Sequence, residues 1–447
     1  MNWLIEKFQK FDTKNSIVFE NKEYKYDQLL NQVNIYCNEI KNKIKPNEVV
    51  AILSDYSFNS IALLITLYLN KNIIVPITTK IQEEIDDRLE ESFCDKVIDL
   101  NEESLNIKSY QLREKHEMLL DLNNKRHAGL ILFSSGSTGK PKAMIHDLDN
   151  LIDSYKEKRE KSMNMLVFLM FDHIGGLNTL FNALSMGATL IIPKNRDAED
   201  ICQLIEDYKI RILPSSPTFL NLILISEAYK KFDLKSLRMI TYGTEAMPDS
   251  LLLRLKETFP KVKLLQTFGT SETGIAGTSS KSSNSTYMKL DDPNLEYKIV
   301  ENELWLKSKT QVLGYLNASM DSFTKDGWFK TGDLVETTED GYLKIIGRSK
   351  EVINVGGEKV LPAEVESILL EIEEIEDCMV YSEANTITGQ TVVCDIVLNK
   401  SEITAKEAKK LIRKYAKEKI ESYKIPTKVN LVEKTNFSDR FKKIRSK

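Results

Sequence analysis

The chain has 447 residues, 42% of them hydrophobic and 29% charged, with a formal net charge of −4. That length exceeds what one core ordinarily carries, so two or three domains are expected, and the hydrophobic fraction is ample for their cores. The longest apolar stretch, 61–69, is far short of the roughly 20 residues a spanning helix needs. Five cysteines (Cys37, Cys94, Cys202, Cys378, Cys394) form no close pair, which argues against a disulfide framework and a zinc cluster. From Lys400 onward there are 16 Lys and Arg against 6 Asp and Glu, a local +10 that leaves −14 for the rest. A basic tail suits nucleic acid, an acidic membrane or a phosphorylated small ligand. A solvated helix face accounts for Lys406 to Lys419 but not for the final Arg440-Phe441-Lys442-Lys443-Ile444-Arg445. The opening Met1-Asn2-Trp3-Leu4-Ile5-Glu6-Lys7 lacks the apolar core of a signal peptide, so a soluble cytoplasmic protein is expected.

In chain order, Leu29, Val33, Tyr36/Cys37 and Ile40 share one face of a helix over 26–40. A buried strand at 49–53, a helix at 61–69 and a strand at 73–75 follow, the alternation that builds a parallel sheet. The apolar run Ala128 to Phe133 then delivers Ser134-Ser135-Gly136-Ser137-Thr138-Gly139-Lys140-Pro141-Lys142. Its glycines let backbone N–H groups turn toward an anion, and its hydroxyls and lysines add donors and charge, so it reads as a phosphate-binding loop. It is not a Walker A loop, because only two residues separate Gly136 from Gly139 and Pro141 follows Lys140. Beyond it come an apolar run at 165–171, a helix at 177–186 ended by Gly187, a strand at 188–192, and short strands at 211–213 and 238–241. Leu295, Tyr297 and Ile299 alternate, Glu301-Asn302 turns, and 303–306 runs back, a hairpin that opens a small antiparallel part. A domain boundary is expected at Lys350, in the polar break Ser349-Lys350-Glu351. No internal repeat or low-complexity linker is present.

Five stretches, in order, resemble the adenylate-forming superfamily of acyl-CoA synthetases, peptide-synthetase adenylation domains and luciferases, and the chain is most similar to its acyl- and aryl-CoA ligases. The loop at 134–142 resembles that family's phosphate loop; Phe268-Gly269-Thr270-Ser271-Glu272-Thr273 resembles Y-G-x-T-E; Gly327 to Leu334 resembles G-W-x-x-T-G-D; Gly347 to Glu351 and Gly356 to Glu366 resemble its hinge and the segment beyond. The resemblance implies an α/β fold: a large domain, 1–348, of parallel-rich αβα sheets with a small β-barrel-like part, and a small mobile α+β domain, 349–447. It implies activation of a carboxylic acid by ATP and Mg²⁺ to an acyl-adenylate with release of pyrophosphate, then transfer to a pantetheine thiol, most readily CoA. The alternative is loading of an acyl or amino acid onto a carrier protein's phosphopantetheine. A nucleotide-binding regulatory protein without catalysis is a third reading. No nucleic-acid partner is implied.

Attack on the α-phosphorus brings an anion toward phosphoryl oxygens, so the site needs positioning and fixed donors more than a base. The resemblance assigns Ser134, Ser135, Gly136, Ser137, Thr138, Gly139 and Lys142 to the phosphates, Glu272 with Thr138 to Mg²⁺, and Thr270, after Phe268 and Gly269, to the α-phosphate. Gly243, Thr244 and Glu245 would meet adenine, Asp333 the ribose hydroxyls, and Arg348 the ribose or a phosphate. Asp172, His173, Gly243 and Ile275 would line the acyl pocket, with His173 in an H-x-x-G-L pattern that polarises the acid's carboxylate or closes the thiol tunnel. In amino-acid-activating relatives a Phe-Asp pair meets the substrate ammonium, and Phe171-Asp172 offers that alternative. Near the end, K-x-x-R places Lys442 as the catalytic lysine, with Lys443 as a second register; Phe441 stands where the family has Gly, and the upstream Pro is missing. Lys350 would be the hinge, and Gly356-Gly357 the thiol-tunnel segment.

Overall fold

The computed structural model describes residues 2–100, 105–110, 114–134, 140–399 and 403–445. Two seven-stranded sheets carry most of it. The first runs, in spatial order, Lys263–Gln266, Met239–Tyr242, Ile212–Ser215, Asn164–Leu166, Thr189–Ile192, Asn15–Phe19, Lys22–Lys25, with every neighbour parallel except the last pair. The second runs Gly314–Tyr315, Lys142–Asp147, Gly129–Ser134, Ile73–Ile77, Val49–Leu53, Lys96–Leu100, Leu105–Ser109, parallel in the middle and antiparallel at both edges. Helices Tyr26–Ile40, Phe58–Leu69 and Ile174–Met186 share one core with both sheets. Phe58–Leu69 buries ten of its twelve side chains, and its exposed first-turn donors are met by a reciprocal pair, Ser57 Oγ accepting from Ser60 N at 2.9 Å and Ser60 Oγ from Ser57 N at 2.8 Å. A helix apolar all round survives only between two such layers.

A six-stranded antiparallel sheet follows, ordered Thr278–Ser280, Met288–Leu290, Leu343–Arg348, Phe329–Thr337, Glu303–Ser308, Leu295–Val300, around its own small core of Met288, Leu304, Leu306, Val335 and Leu343. The hairpin Leu295–Val300/Glu303–Ser308 turns on Glu301 and Asn302 with φ 50° and 65°, the left-handed pair that suits the strand twist. Its alternation is that of an outer strand, since Tyr297 and Ile299 are exposed. Past Arg348 a short 3-10 turn, Ser349–Glu351, leads to strands Ile353–Val355, Glu358–Val360, Ile375–Asn385, Gly389–Leu398 and Lys428–Leu431 with helices Pro362–Leu369 and Ala405–Ala416, packed on a separate core.

Some elements differ from the sequence reading, among them the helix expected at 61–69, which begins at Phe58. The helix expected at 177–186 begins at Ile174, because His173 caps it, its Nδ1 accepting from Gly175 N at 3.0 Å. The apolar run 165–171 is strand only over Asn164–Leu166, the remainder being a buried loop. Helix Gln82–Glu91 gave no apolar periodicity, since Leu89 is its one buried side chain.

His146, in strand Lys142–Asp147, is 1% exposed, and neither ring nitrogen has a partner among the described residues. Burial pushes its ring down from 6.5 to about 4. Between those values the unfolded chain binds a proton that the folded chain refuses, so this residue makes stability fall as pH drops through the window. Replacing it by Phe should remove about 2 kcal/mol of the stability difference between pH 7 and pH 5. Urea denaturation of both proteins at the two pH values measures this; equal pH dependence would refute it.

Candidate active site

A cavity of about 2440 Å³ lies where the two large sheets, the antiparallel sheet and the carboxyl-terminal unit meet. Ser215, Gly243 and Thr267 bring to it the carboxyl ends of parallel strands in the first sheet, the usual ligand side of such sheets. Ser134 closes the strand that enters the glycine-rich loop, and Lys142 opens the strand that leaves it; both line the cavity. Ser135, Gly136, Ser137, Thr138 and Gly139 lie outside the described residues.

Phe268, Gly269, Thr270, Glu272 and Ile275 line the same space on a two-stranded ribbon, Phe268–Thr270 with Gly274–Ala276. Thr270 Oγ1 accepts from Thr273 N at 3.1 Å, closing the turn that carries Glu272. Tyr315 donates its hydroxyl to Glu272 Oε1 at 3.0 Å, and Lys142 Nζ stands 4.6 Å from the Tyr315 ring centroid. One carboxylate oxygen is thereby oriented while Oε2 has no described partner. A hard oxygen so placed fits Mg²⁺, which takes one or two carboxylates together with substrate phosphates.

Gly243 and Thr244 follow strand Met239–Tyr242 into the cavity. A Cβ on Gly243 would stand 2.7 Å from Thr267 Oγ1 and 2.8 Å from Thr267 O, so glycine is required by the neighbouring strand end itself. Thr244 holds φ 73°, a left-handed conformation that costs a β-branched residue about 1–3 kcal/mol and is kept only where surroundings impose it. The Glu245 side chain turns away from the cavity: it accepts from Thr218 N at 2.8 Å, bracing helix Pro217–Ile225, and from Lys443 N at 3.3 Å.

Asp333 is 4% exposed, just behind Gly332 and Arg348, which line the cavity. Arg348 Nε donates to its Oδ1 at 3.0 Å. Burial holds the Asp333 carboxyl above its ordinary value against the opposing pull of Arg348 and Lys442. Lys350 is exposed at the cavity rim in the 3-10 turn. Gly356 and Gly357 turn between strands Ile353–Val355 and Glu358–Val360, with φ 61° and 97°, and do not line the cavity.

The carboxyl-terminal tail folds back as a tight hairpin: Phe441 N donates to Ser438 O at 2.8 Å and Ile444 N to Asn436 O at 3.0 Å. Phe441 adopts φ 51°, the left-handed turn that glycine would take without strain, and its ring packs on Phe168, Phe219 and Phe437 at centroid distances of 5.1, 5.0 and 5.6 Å. The two lysines then part. Lys442 lines the cavity, and burial with the nearby Arg348 charge lowers its ammonium from the usual value against Glu351, Glu245 and Asp333. Lys443, which also borders the cavity, is 8% exposed and held by acids: it donates to Cys378 O and pairs with Asp377 at 3.3 Å and Glu366 at 3.8 Å, while Arg445 pairs with Glu366 at 2.9 Å and Glu351 at 3.1 Å.

His173 lines the cavity as a neutral imidazole: burial and the positive charges of Arg440 and Lys442 push it down to about 3. Because Nδ1 accepts from Gly175, Nε2 carries the N–H. Beside it Asp172 Oδ2 meets Arg88 Nη1 at 3.1 Å and Arg440 Nη2 at 3.6 Å. Arg88, Tyr315 and Arg440 were not singled out in the sequence. Arg88 sits on a polar helix without periodicity, Tyr315 is 43 positions from its partner Glu272, and Arg440 was one cation of a basic run.

Solved structures share this fold. The anthranilate CoA ligase AuaEII in complex with anthranoyl-AMP superimposes with TM-score 0.82 at 19% identity, over 99% of this chain and 95% of that one. The o-succinylbenzoate coenzyme A synthetase of Bacillus subtilis, in complex with ATP and magnesium ion, gives 0.76 at 20% identity over 99% and 98%. Among curated relatives, the 4-coumarate–CoA ligase-like 9 protein of Arabidopsis thaliana is 30% identical over 301 residues, 61% of this chain and 54% of that protein. The chain thus matches about half the length of that relative. The family described as AMP-binding enzyme matches residues 5–316, and the AMP-binding enzyme C-terminal domain matches 364–440. With both parts matched in order across one cavity, the chain belongs to the adenylate-forming, AMP-binding enzyme family.

Proposed function

We propose that this protein is an AMP-forming acid–thiol ligase. A carboxylate oxygen of the acid attacks the α-phosphorus of ATP, the bond to the leaving pyrophosphate breaks, and an acyl-adenylate results. A pantetheine thiol, CoA in the preferred reading, then attacks the acyl carbon, and AMP leaves with the phosphoryl oxygen. The observation that carries this reading is the delivery of Lys442 into the cavity that Glu272, Thr270, Arg348 and His173 also line, with Asp333 immediately behind.

Each group has a distinct task. The Lys442 ammonium lies between two anions as they meet, the carboxylate and the α-phosphate, and its lowered value reflects burial that makes such a fixed charge effective. Thr270 donates to the α-phosphate, Arg348 and Asp333 orient the ribose, and Gly243 with Thr244 offers backbone to adenine. Ser134, Lys142 and the loop Ser135–Gly139, including Thr138, hold the departing phosphates. Glu272 would hold Mg²⁺ through the oxygen that Tyr315 leaves free, and the ion would offset phosphate charge. His173 stays neutral and donates Nε2–H toward the acid's carboxylate, with Ile275 facing it across the acyl pocket.

Asp172 supports the acyl reading over amino-acid activation. Two guanidiniums, Arg88 and Arg440, already stand against its Oδ2, so a substrate ammonium reaching the buried Oδ1, which has no partner among the described residues, would enter beside two fixed cations. The proposed division is 1–348 and 349–447 with Lys350 as the hinge. Gly356 and Gly357 stand outside the cavity, so their thiol-tunnel role requires the small unit to turn about that hinge after adenylation.

Lys442→Ala should lower ATP–pyrophosphate exchange at least about 100-fold, roughly 3 kcal/mol of transition-state stabilisation, while sparing thioester formation from supplied acyl-adenylate. Lys443→Ala should instead cost about 3–5 kcal/mol of stability, because Asp377 and Glu366 lose a buried counter-charge. Exchange kinetics and denaturation of both variants separate the roles, and normal exchange in Lys442→Ala with loss in Lys443→Ala would reverse the assignment. Lys350→Pro should slow thioester formation and leave exchange near wild type; equal slowing of both half-reactions rejects the hinge. Since Lys442 acts as the ammonium, the exchange rate should fall on the alkaline side at a pH below its ordinary value of 10.5.

A further inference from the structure

The cavity has an arm that the adenylation chemistry does not use. One stripe of helix Ile174–Met186 lines it from end to end: His173 and Gly175 at the reacting end, then Asn178, Thr179 and Asn182, then Met186. At about 1.5 Å per residue, Asn178 lies about 7 Å and Asn182 about 13 Å along the helix from His173. Apolar side chains of Met165, Ile212, Leu265 and Ile275 line the same cavity.

The two amides are held in one orientation by their own hydrogen bonds. Asn182 Nδ2 donates to the Asn178 backbone oxygen at 2.9 Å, which sets the Asn182 amide. The same nitrogen donates to Asn178 Oδ1 at 3.1 Å, which sets the Asn178 amide in turn. Tyr155, whose buried hydroxyl is held in its protonated form, donates to Asn178 Oδ1 at 2.9 Å. Asn178 Nδ2 and Asn182 Oδ1 therefore remain without partners among the described residues, a donor and an acceptor on the wall of the same arm. A purely hydrocarbon occupant would cover both and satisfy neither, which costs affinity for each group buried without a partner. Charge near Tyr155 is mixed: Glu157 and Lys158 follow it in the cavity lining, and the negative charge of Asp292 acts on its hydroxyl.

We propose that this arm selects carboxylic acids with an apolar spacer and a neutral hydroxyl or primary amide about 7–13 Å from the carboxyl group, recognised by Asn178 and Asn182. The proposal rests on the ligase reading above and names its substrate class. A hydroxyl or primary amide both accepts from Asn178 Nδ2 and donates to Asn182 Oδ1, and the apolar side chains cover the spacer. Sites built around paired polar groups reject analogues that lack them far more strongly than apolar pockets reject an extra methylene.

The test is ATP–pyrophosphate exchange by the full chain with two matched pairs, ω-hydroxyoctanoate against octanoate and para-hydroxycinnamate against cinnamate, with octanedioate and ω-aminooctanoate as charged controls. In the pair that turns over faster, kcat/KM should favour the hydroxylated acid at least about tenfold, and both charged acids should fall below it. Asn182→Leu and Asn178→Ser should each bring that ratio close to one. Calorimetric titration of the wild-type protein with each acid in the presence of a non-hydrolysable ATP analogue gives the same ratio in binding, independent of turnover and of whether either variant folds. A plain acid used as well as its hydroxylated partner, a ratio unmoved by the variants, or preference for a charged acid overturns the substrate class and leaves the ligase reading standing. Absence of exchange with every acid, despite ATP binding, overturns both.

Discussion

The placement of Lys442 depends on a ring contact, the burial of Phe441 against Phe168, Phe219 and Phe437. Phe168 and Phe219 belong to the core of the first sheet and its outer helices, whereas Phe437 and Phe441 belong to the tail, so this cluster fastens the tail to that core. It gains apolar burial at a residue held in a left-handed turn, a conformation that Phe adopts only when packing outweighs the strain. The tail's cations then divide by what surrounds them. Lys442, Lys443 and Arg445 all border the cavity, but Lys443 and Arg445 find Asp377, Glu366 and Glu351 within the small unit, whereas Lys442 has no ion pair among the described residues.

That division accounts for much of the basic excess after Lys400. Part of it is a solvated face on helix Ala405–Ala416, whose buried residues are Ala408, Ile412 and Ala416. The rest is internal. Two of its cations neutralise Glu366, which is 3% exposed and also accepts from Val380 N at 2.8 Å, so the small unit has a buried polar centre tied to the tail. Breaking such a pair leaves an uncompensated charge, so the arrangement that presents Lys442 and the stability of the small unit are coupled.

The tail also reaches Asp172. Arg440 stands against Asp172 Oδ2, the oxygen that Arg88 on helix Gln82–Glu91 also holds. His173, next in sequence, is kept neutral by burial and by Arg440 and Lys442. A neutral imidazole offers a hydrogen bond without adding charge, which suits a place where a carboxylate must remain nucleophilic. On the other face of the cavity Tyr315 orients Glu272. Residues with no place in any motif thus hold those that have one.

The family was legible in the chain alone because its motifs are local: the hydroxyl-rich loop, Thr270 with Glu272, Asp333 after Gly332, and a lysine near the end each depend on a few consecutive residues. Parallel β–α alternation was legible for the same reason, through strands such as Val49–Leu53 that are buried on both faces. Only the tertiary structure distinguished Lys442 from Lys443, adjacent residues of one type: both border the cavity, but Lys443 is paired with Asp377 and Glu366, and Lys442 has no ion pair among the described residues. It also turned Glu245 toward Thr218 and the tail, placed Arg88 against Asp172 across 84 positions, and aligned Asn178 and Asn182 along one arm. These are facts of side-chain direction and long-range pairing, and local periodicity carries no record of either.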